Sequence, residues 1–125
     1  MIENIAIGIE HRQDLLVSDK DTANAYKSGG LDVLATPAMI ALMESAAFLL
    51  LKNDPINLDS VGTQLAINHV RACKVGTKVW AIAKITGVEG KKVNFIVNAY
   101  DSNGEIGNGT HTRYIIDPQK FMSRL

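Results

Sequence analysis

Hydrophobic residues are spaced in two different ways along this chain, and the change falls at Pro55. Before it lies the densest apolar segment, ATPAMIALMESAAFLLLK, running from Ala35 to Lys52. From Ala38 to Leu51 only Glu44 and Ser45 are not apolar. Thr36 is a good N-cap residue, Pro37 suits the first helical position, and Asn53-Asp54-Pro55 is a stop signal, so the segment predicts a helix from Thr36 to about Lys52. At 1.5 Å per residue such a helix spans about 22–25 Å, enough to cross a sheet. A helix that is apolar nearly all round is buried on most sides.

After Pro55 the period shortens. Val61 to Val75, Thr77 to Val88, Val93 to Tyr100 and Glu105 to Ile116 are rich in Val, Ile, Thr and aromatic residues and alternate in part, as strands do. Turn signals separate them at Lys74-Val75-Gly76-Thr77, Glu89-Gly90-Lys91 and Asp101-Ser102-Asn103-Gly104. Connections this short join antiparallel strands, because parallel pairs need long crossovers. Gly107 and Gly109 interrupt the last strand and mark either bulges or close backbone approach. Upstream, the alternating Ile5, Ile7 and Ile9 predict a strand or two within Asn4 to Val17. Asp19 to Leu31, ending in Ser28-Gly29-Gly30, predicts a loop or a short irregular element.

One long helix followed by hairpin-linked strands is an α+β pattern. Its economical form wraps a curved antiparallel sheet around the helix and leaves a sheet edge or face for a partner, so a homodimer is expected. With 125 residues and no repeat, low-complexity stretch or linker, residues 1–125 are expected to form one domain.

Composition narrows the function. Thirteen basic and thirteen acidic residues cancel, which removes the electrostatic footprint of a nucleic-acid binder. Lys91-Lys92 is the only adjacent basic pair and falls at an expected hairpin tip. The single Cys73 excludes an intrachain disulfide or a multi-cysteine metal site and reads as a small core residue. The opening MIENIAIGIEHRQDLL lacks a basic segment followed by a long apolar run, so no signal peptide is expected. The apolar run of the helix falls short of the ~20 residues a bilayer requires, so no membrane span is expected. A cytoplasmic protein without metal or other cofactor is the expectation, since the three histidines show no metal-ligand spacing.

Glu44 is the residue that most needs an explanation. A carboxylate among Ile40, Ala41, Ala47 and Phe48 must find a partner, lose its charge or face a cavity. His69, in GTQLAINHV, is open to a structural or a catalytic role. His111, in GTHTR, is similarly ambiguous, and His11 reads as a surface residue. Thr36 caps the helix on the simplest reading, yet a helix N-terminus also suits a carbonyl oxygen that becomes an oxyanion. Gly62 would let a ligand approach the backbone, although a turn before a strand explains it equally well. Thr36 and Glu44 stand eight residues apart, or roughly 12 Å along a helix, so they need not meet within one subunit. Two such helices lying antiparallel in a dimer would bring the Thr36 end of one near Glu44 of the other.

The segments VLATPAMIALMES, SVGTQLAINHV and GNGTHTRYII followed by Lys120-Phe121 together resemble the fluoroacetyl-coenzyme A thioesterase family of hotdog-fold proteins, over about Val33 to Leu125. The specific combination is Thr and Glu eight apart on an apolar helix, Gly and His seven apart, then Gly-Thr-His-x-Arg. The resemblance implies a hotdog fold, a long helix wrapped by an antiparallel sheet, and acyl-coenzyme A as substrate. It implies a homodimer, or a tetramer of paired dimers, with the site at the subunit interface. It also implies catalytic roles for Thr36, Glu44 and His69 and substrate-binding roles for Gly62 and Arg113. On this reading Glu44 attacks the thioester carbonyl or activates water, and His69 serves as the general acid–base. The best-known member carries a phenylalanine-bearing lid ahead of its helix. Here that stretch is Tyr26-Lys27-Ser28-Gly29-Gly30-Leu31, so thioester chemistry is implied and a fluorinated acyl group is not. A non-catalytic acyl-coenzyme A binding protein is the alternative. An enoyl-thioester hydratase ranks lower, because the Asp-x4-His pair of such enzymes is missing.

Overall fold

The structure, a computed structural model, describes residues 5–125. Helix α2 (Thr36–Lys52) is the long apolar segment, preceded by the short helix α1 (Ala23–Tyr26) and followed by most of the sheet. The strands are β1 (Glu10–Leu16), β2 (Asp59–His69), β3 (Lys78–Glu89), β4 (Lys92–Asp101) and β5 (Gly104–Ile116), and α3 (Pro118–Ser123) closes the chain. All neighbours pair antiparallel, in the order β1-β3-β4-β5-β2. This is the expected α+β arrangement, with α2 packed against β1, β2, β3 and β4.

Alternation determines what each strand buries. Val79, Ala81, Ala83 and Ile85 of β3 and Val93, Phe95, Val97 and Ala99 of β4 form the core together with Ala38, Met39, Leu42, Met43, Ala46, Ala47, Leu50 and Leu51 of α2. The helix is less enclosed than its composition suggests. Ile40, Glu44, Ser45 and Phe48 are half-buried and Ala41 is exposed, so one stripe of α2 stays open beside β2. The edge strand β2 is itself exposed from Gly62 to Ala66, with Leu65 at 39%.

Two expectations are narrowed and one, the end of β2, changes. The region before Val17 holds one strand, beginning at Glu10, and Asn4 lies outside the described residues. The strand expected to run to Val75 ends at His69, because the following segment leaves the sheet: Lys74 bridges Val33, and the Cys73 carbonyl accepts a hydrogen bond from the Leu34 N–H at 2.8 Å. Gly109 lies in unbroken register and serves close approach, whereas Gly107 borders an irregularity, since Ala99 pairs with it and Tyr100 with Glu105, leaving Ile106 as the extra residue; the other irregularities fall at Gly62/Gln64 and Ile85/Gly87. Cys73 is buried and free, as expected, and burial together with Asp101 pushes its thiol up to about 11. Among the described residues no helix is long and apolar enough to cross a membrane.

Candidate active site

The departure of the chain from the sheet after His69 brings the first two site residues together. With Val33 and Leu34 pinned to Lys74 and Cys73, the start of α2 lies beside the end of β2. The segment after β2 is clamped in turn by Arg71, whose guanidinium makes two hydrogen bonds to the Asp101 carboxylate at 2.5 and 3.0 Å. Those bonds hold the Asp101 carboxyl down at about 2. Thr36 is not the N-cap. Ala35 takes that place, with its carbonyl accepting from the Met39 N–H, and Thr36 and Pro37 form the first helical positions. The Thr36 hydroxyl is thereby free of the helix and lies 2.8 Å from His69 Nδ1. The other ring nitrogen, His69 Nε2, is buried and has no hydrogen-bond partner among the described residues. Burial pushes the ring below the usual histidine range, opposed in part by the nearby Arg71 backbone, and so favours a neutral ring at neutral pH. A cavity of about 340 Å³, lined in part by Ser28, Val33, Thr36, His69 and Val70, opens beside the pair.

The second group is assembled around Glu44, on the half-open stripe of α2. Its Oε2 lies 3.9 Å from Arg113 Nη1, an ion pair longer than a hydrogen bond, and its side chain is 39% exposed. Gly62, on β2, is what leaves the carboxylate room. A Cβ there would lie 3.0 Å from Glu44 Oε2, 3.1 Å from His111 Cε1 and 3.4 Å from Arg113 Nη1. Arg113 is buried and aimed by β2: its Nε donates to Ser60 Oγ at 2.8 Å and its Nη2 to the Ser60 carbonyl at 3.0 Å, while the guanidinium lies over the Phe48 ring.

The structure therefore joins Thr36 with His69, and Glu44 with Gly62 and Arg113, but separates the two groups by about two turns of α2, roughly 12 Å. It also brings in His111, which the sequence left ambiguous. His111 is 1% exposed and stacks on Phe95. Its Nδ1 lies 2.8 Å from the Gln64 carbonyl, and its Nε2 lies 3.2 Å from Arg113 Nη1. A carbonyl only accepts and a guanidinium only donates, so the ring is neutral, with the proton on Nδ1. The signal for this residue was its place two positions before Arg113 on one face of β5. Burial holds the His111 ring below the usual range, with the Gln64 carbonyl and Glu44 opposing and Arg113 assisting. The unfolded ring takes its proton near pH 6.5 and the folded ring only lower, so stability falls as pH drops below about 6.5. His111→Gln keeps an acceptor at the far end of the side chain and should unfold in denaturant close to wild type, with a flatter acid limb. His111→Asn strands the Arg113 donor and should lose about 1–3 kcal/mol; equal losses for the two variants would remove the role of Nε2.

A curled antiparallel sheet around one long helix, with a carboxylate and a Thr–His pair positioned on it, defines a hotdog-fold thioester hydrolase. The profile of the family described as FlK: Fluoroacetyl-CoA-specific thioesterase matches residues 17–119, and the chain belongs to that family. It is 34% identical over 96 residues to the fluoroacetyl-CoA thioesterase of Streptantibioticus cattleyicolor, covering 75% of this chain and 68% of that protein. A FlK variant crystallised with fluoroacetate and CoA superposes with a TM-score of 0.84 at 30% identity, over 94% of this chain and 99% of that one. A hot-dog-like protein from Thermanaerovibrio acidaminovorans shares the fold, with a TM-score of 0.84 at 24% identity over 98% and 91% of the two chains.

Proposed function

We propose that this protein hydrolyses a small acyl-coenzyme A thioester to the free acid and CoA. It acts as a homodimer in which Glu44, Gly62 and Arg113 of one subunit face the partner's Thr36 and His69. What supports this reading is that the candidate residues gather in two separate, incomplete groups within one chain. Among the described residues, one half has a buried histidine nitrogen with no partner, and the other a carboxylate with only a long ion pair. Buried polar atoms are nearly always paired, so the orphan nitrogen calls for a group from outside the chain.

The exposed edge of β2 supplies a way to join the halves, since unpaired edge strands readily pair with another chain. An antiparallel pairing of two β2 strands that sets Gly62 opposite the partner's His69 is centred between Leu65 and Ala66, inside the exposed stretch. The same approach covers the open stripe of α2. In the joined site Glu44 attacks the thioester carbonyl or takes the proton of the attacking water. The neutral His69, held by Thr36, receives the proton released from water, directly or by way of Glu44, and the imidazolium passes it to the departing thiolate. Water is the only other reactant, and no cofactor is needed. A reducing, cytoplasmic setting suits Cys73, a free thiol.

The acyl group is expected to be small but not fluorinated in particular. The segment ahead of α2 has no phenylalanine, and its largest residues, Tyr26 and Leu31, are 46% and 69% exposed. A binding-only role leaves the Thr36–His69 pair without a purpose. The test is thiol release from acetyl, branched, aromatic and halogenated acyl-CoA esters, followed by mixing of two dead variants. Co-expressed Glu44→Gln and His69→Ala chains should recover about a quarter of wild-type activity, because half of randomly formed dimers are mixed and each has one intact site of two. No recovery would place each site within one chain, and no release from any ester by wild type would overturn the hydrolase reading.

A further inference from the structure

Arg113 lies beside Glu44 without a hydrogen bond to it. Its Nη1 is 3.9 Å from Glu44 Oε2, whereas a guanidinium bound to a carboxylate closes to about 2.7–2.9 Å. Gly62 has no side chain to hold the two apart: even a Cβ there would lie only 3.0 Å from Oε2 and 3.4 Å from Nη1. The separation instead follows from where the guanidinium directs its donors. Nε and Nη2 are bound to Ser60, and Nη1 to His111 Nε2 at 3.2 Å. A neutral ring thus holds the donor that a neighbouring carboxylate would otherwise attract.

Both neighbouring strands fix His111 in that role. In β2, Thr63 is the extra residue of a bulge, since Gly62 pairs with Arg113 and Gln64 with Thr112. The Gln64 carbonyl beyond it accepts the Nδ1 proton at 2.8 Å and leaves the Nε2 lone pair for Arg113. In β4, Phe95 pairs with His111 in register, and the two rings stack with centroids 5.9 Å apart, so the buried imidazole is held in place. A carboxylate that accepts a guanidinium N–H is a weaker base and nucleophile, because the bond stabilises the charge the reaction must use. Resting on the acyl-coenzyme A hydrolase reading above, we infer that His111 is a positioning residue for that reaction. By occupying Arg113 Nη1 it keeps the cation beside Glu44 and leaves the Oε2 lone pairs free for the thioester or for water.

The test removes the acceptor and asks whether Arg113 carries the effect. In His111→Leu the buried Nη1 loses its partner, and Glu44 Oε2 is the acceptor within reach. That variant should lower kcat by about ten- to a hundredfold, the scale of one hydrogen bond to a charged group, with KM within about twofold. His111→Gln keeps an oxygen for Nη1 and should hold kcat within about threefold of wild type. In an Arg113→Met background the His111→Leu step should cost no more than about twofold, because the competing donor is gone. Equal losses in both backgrounds, or a His111→Gln protein as slow as His111→Leu, would overturn the role. Crystal structures read the competition without activity: Nη1 should come within about 3 Å of Glu44 Oε2 in His111→Leu and stay apart in His111→Gln. An unchanged gap in His111→Leu overturns the inference. If wild type releases thiol from no ester, the hydrolase reading fails by itself, and the crystal structures alone decide whether His111 holds Nη1 from Glu44. Should His111→Leu not fold, His111→Asn, too short to reach Nη1, takes its place in every arm.

Discussion

Glu44→Gln should lower thiol release from acyl-CoA esters by at least about a thousandfold, the scale of removing a general base or nucleophile, while leaving the protein folded and dimeric. The two halves of that expectation rest on different observations. Glutamine has nearly the shape of glutamate, so the space kept open by Gly62 is neither filled nor enlarged. The ion pair lost with Arg113 is 3.9 Å long and joins a 39% exposed side chain. Such a pair contributes about 0–1 kcal/mol, too little to unfold the chain. Arg113 also keeps its bonds to Ser60 and to His111 Nε2. The chemistry is less forgiving, because an amide neither attacks a thioester at neutral pH nor takes a proton from water. Thiol release, thermal melting and size-exclusion chromatography on one preparation check both halves. Activity within about tenfold of wild type would remove Glu44 from the reaction, and a melt lowered by many degrees would make it a structural residue.

How far this site is legible in the sequence depends on what each residue's neighbours reveal. Glu44 stands out because a charge in an apolar helix must be accounted for, and the structure places it on the open stripe of α2. The hairpins and the helix follow from the change of hydrophobic period, which local side-chain spacing controls. Thr36 is harder. An N-cap and a first helical residue look alike in sequence, and only the packing of Val33–Leu34 against Cys73–Lys74 turns its hydroxyl toward His69. The end of β2 was hidden for the same reason, since the residues after His69 are strand-like but pair with the chain ahead of α2. His111 was visible as a neighbour of Arg113 on one strand face. That its two nitrogens serve a backbone carbonyl and a guanidinium depends on the register shift at Gly62/Gln64, which no local pattern announces.

The largest effect on stability is expected from Gly109→Ala. Gly109 lies in β5 between Val97 of β4 and Ile67 of β2, with ladder partners on both sides. A Cβ there would overlap the Ala66 carbonyl oxygen and come within 2.8 Å of Ile67 Cδ1 and 2.9 Å of Ile67 Cα. Two of those three atoms are backbone, so no rotamer change relieves the clash and β2 itself must move. Overpacking of this kind costs roughly 3 kcal/mol or more, which for a domain of this size lowers the melting temperature by about 10 °C. Gly107→Ala is the informative comparison. Its Cβ would meet Met39 Sδ at 2.5 Å and Cε at 2.6 Å, the far end of an adaptable side chain, with the nearest backbone atom, the Asn68 carbonyl oxygen, at 3.1 Å. That variant should lose only about 1–2 kcal/mol. Gly87→Ala, whose Cβ would sit 3.5 Å from Asn94 Nδ2, should be nearly silent. Because β2 carries both Gly62 and His69, the displacement forced by Gly109→Ala should also cut thiol release well below its melting point. A Gly109→Ala protein that melts with wild type would mean that β2 and β5 are farther apart than their register places them, and the alignment of Gly62 with Glu44 would fall with it.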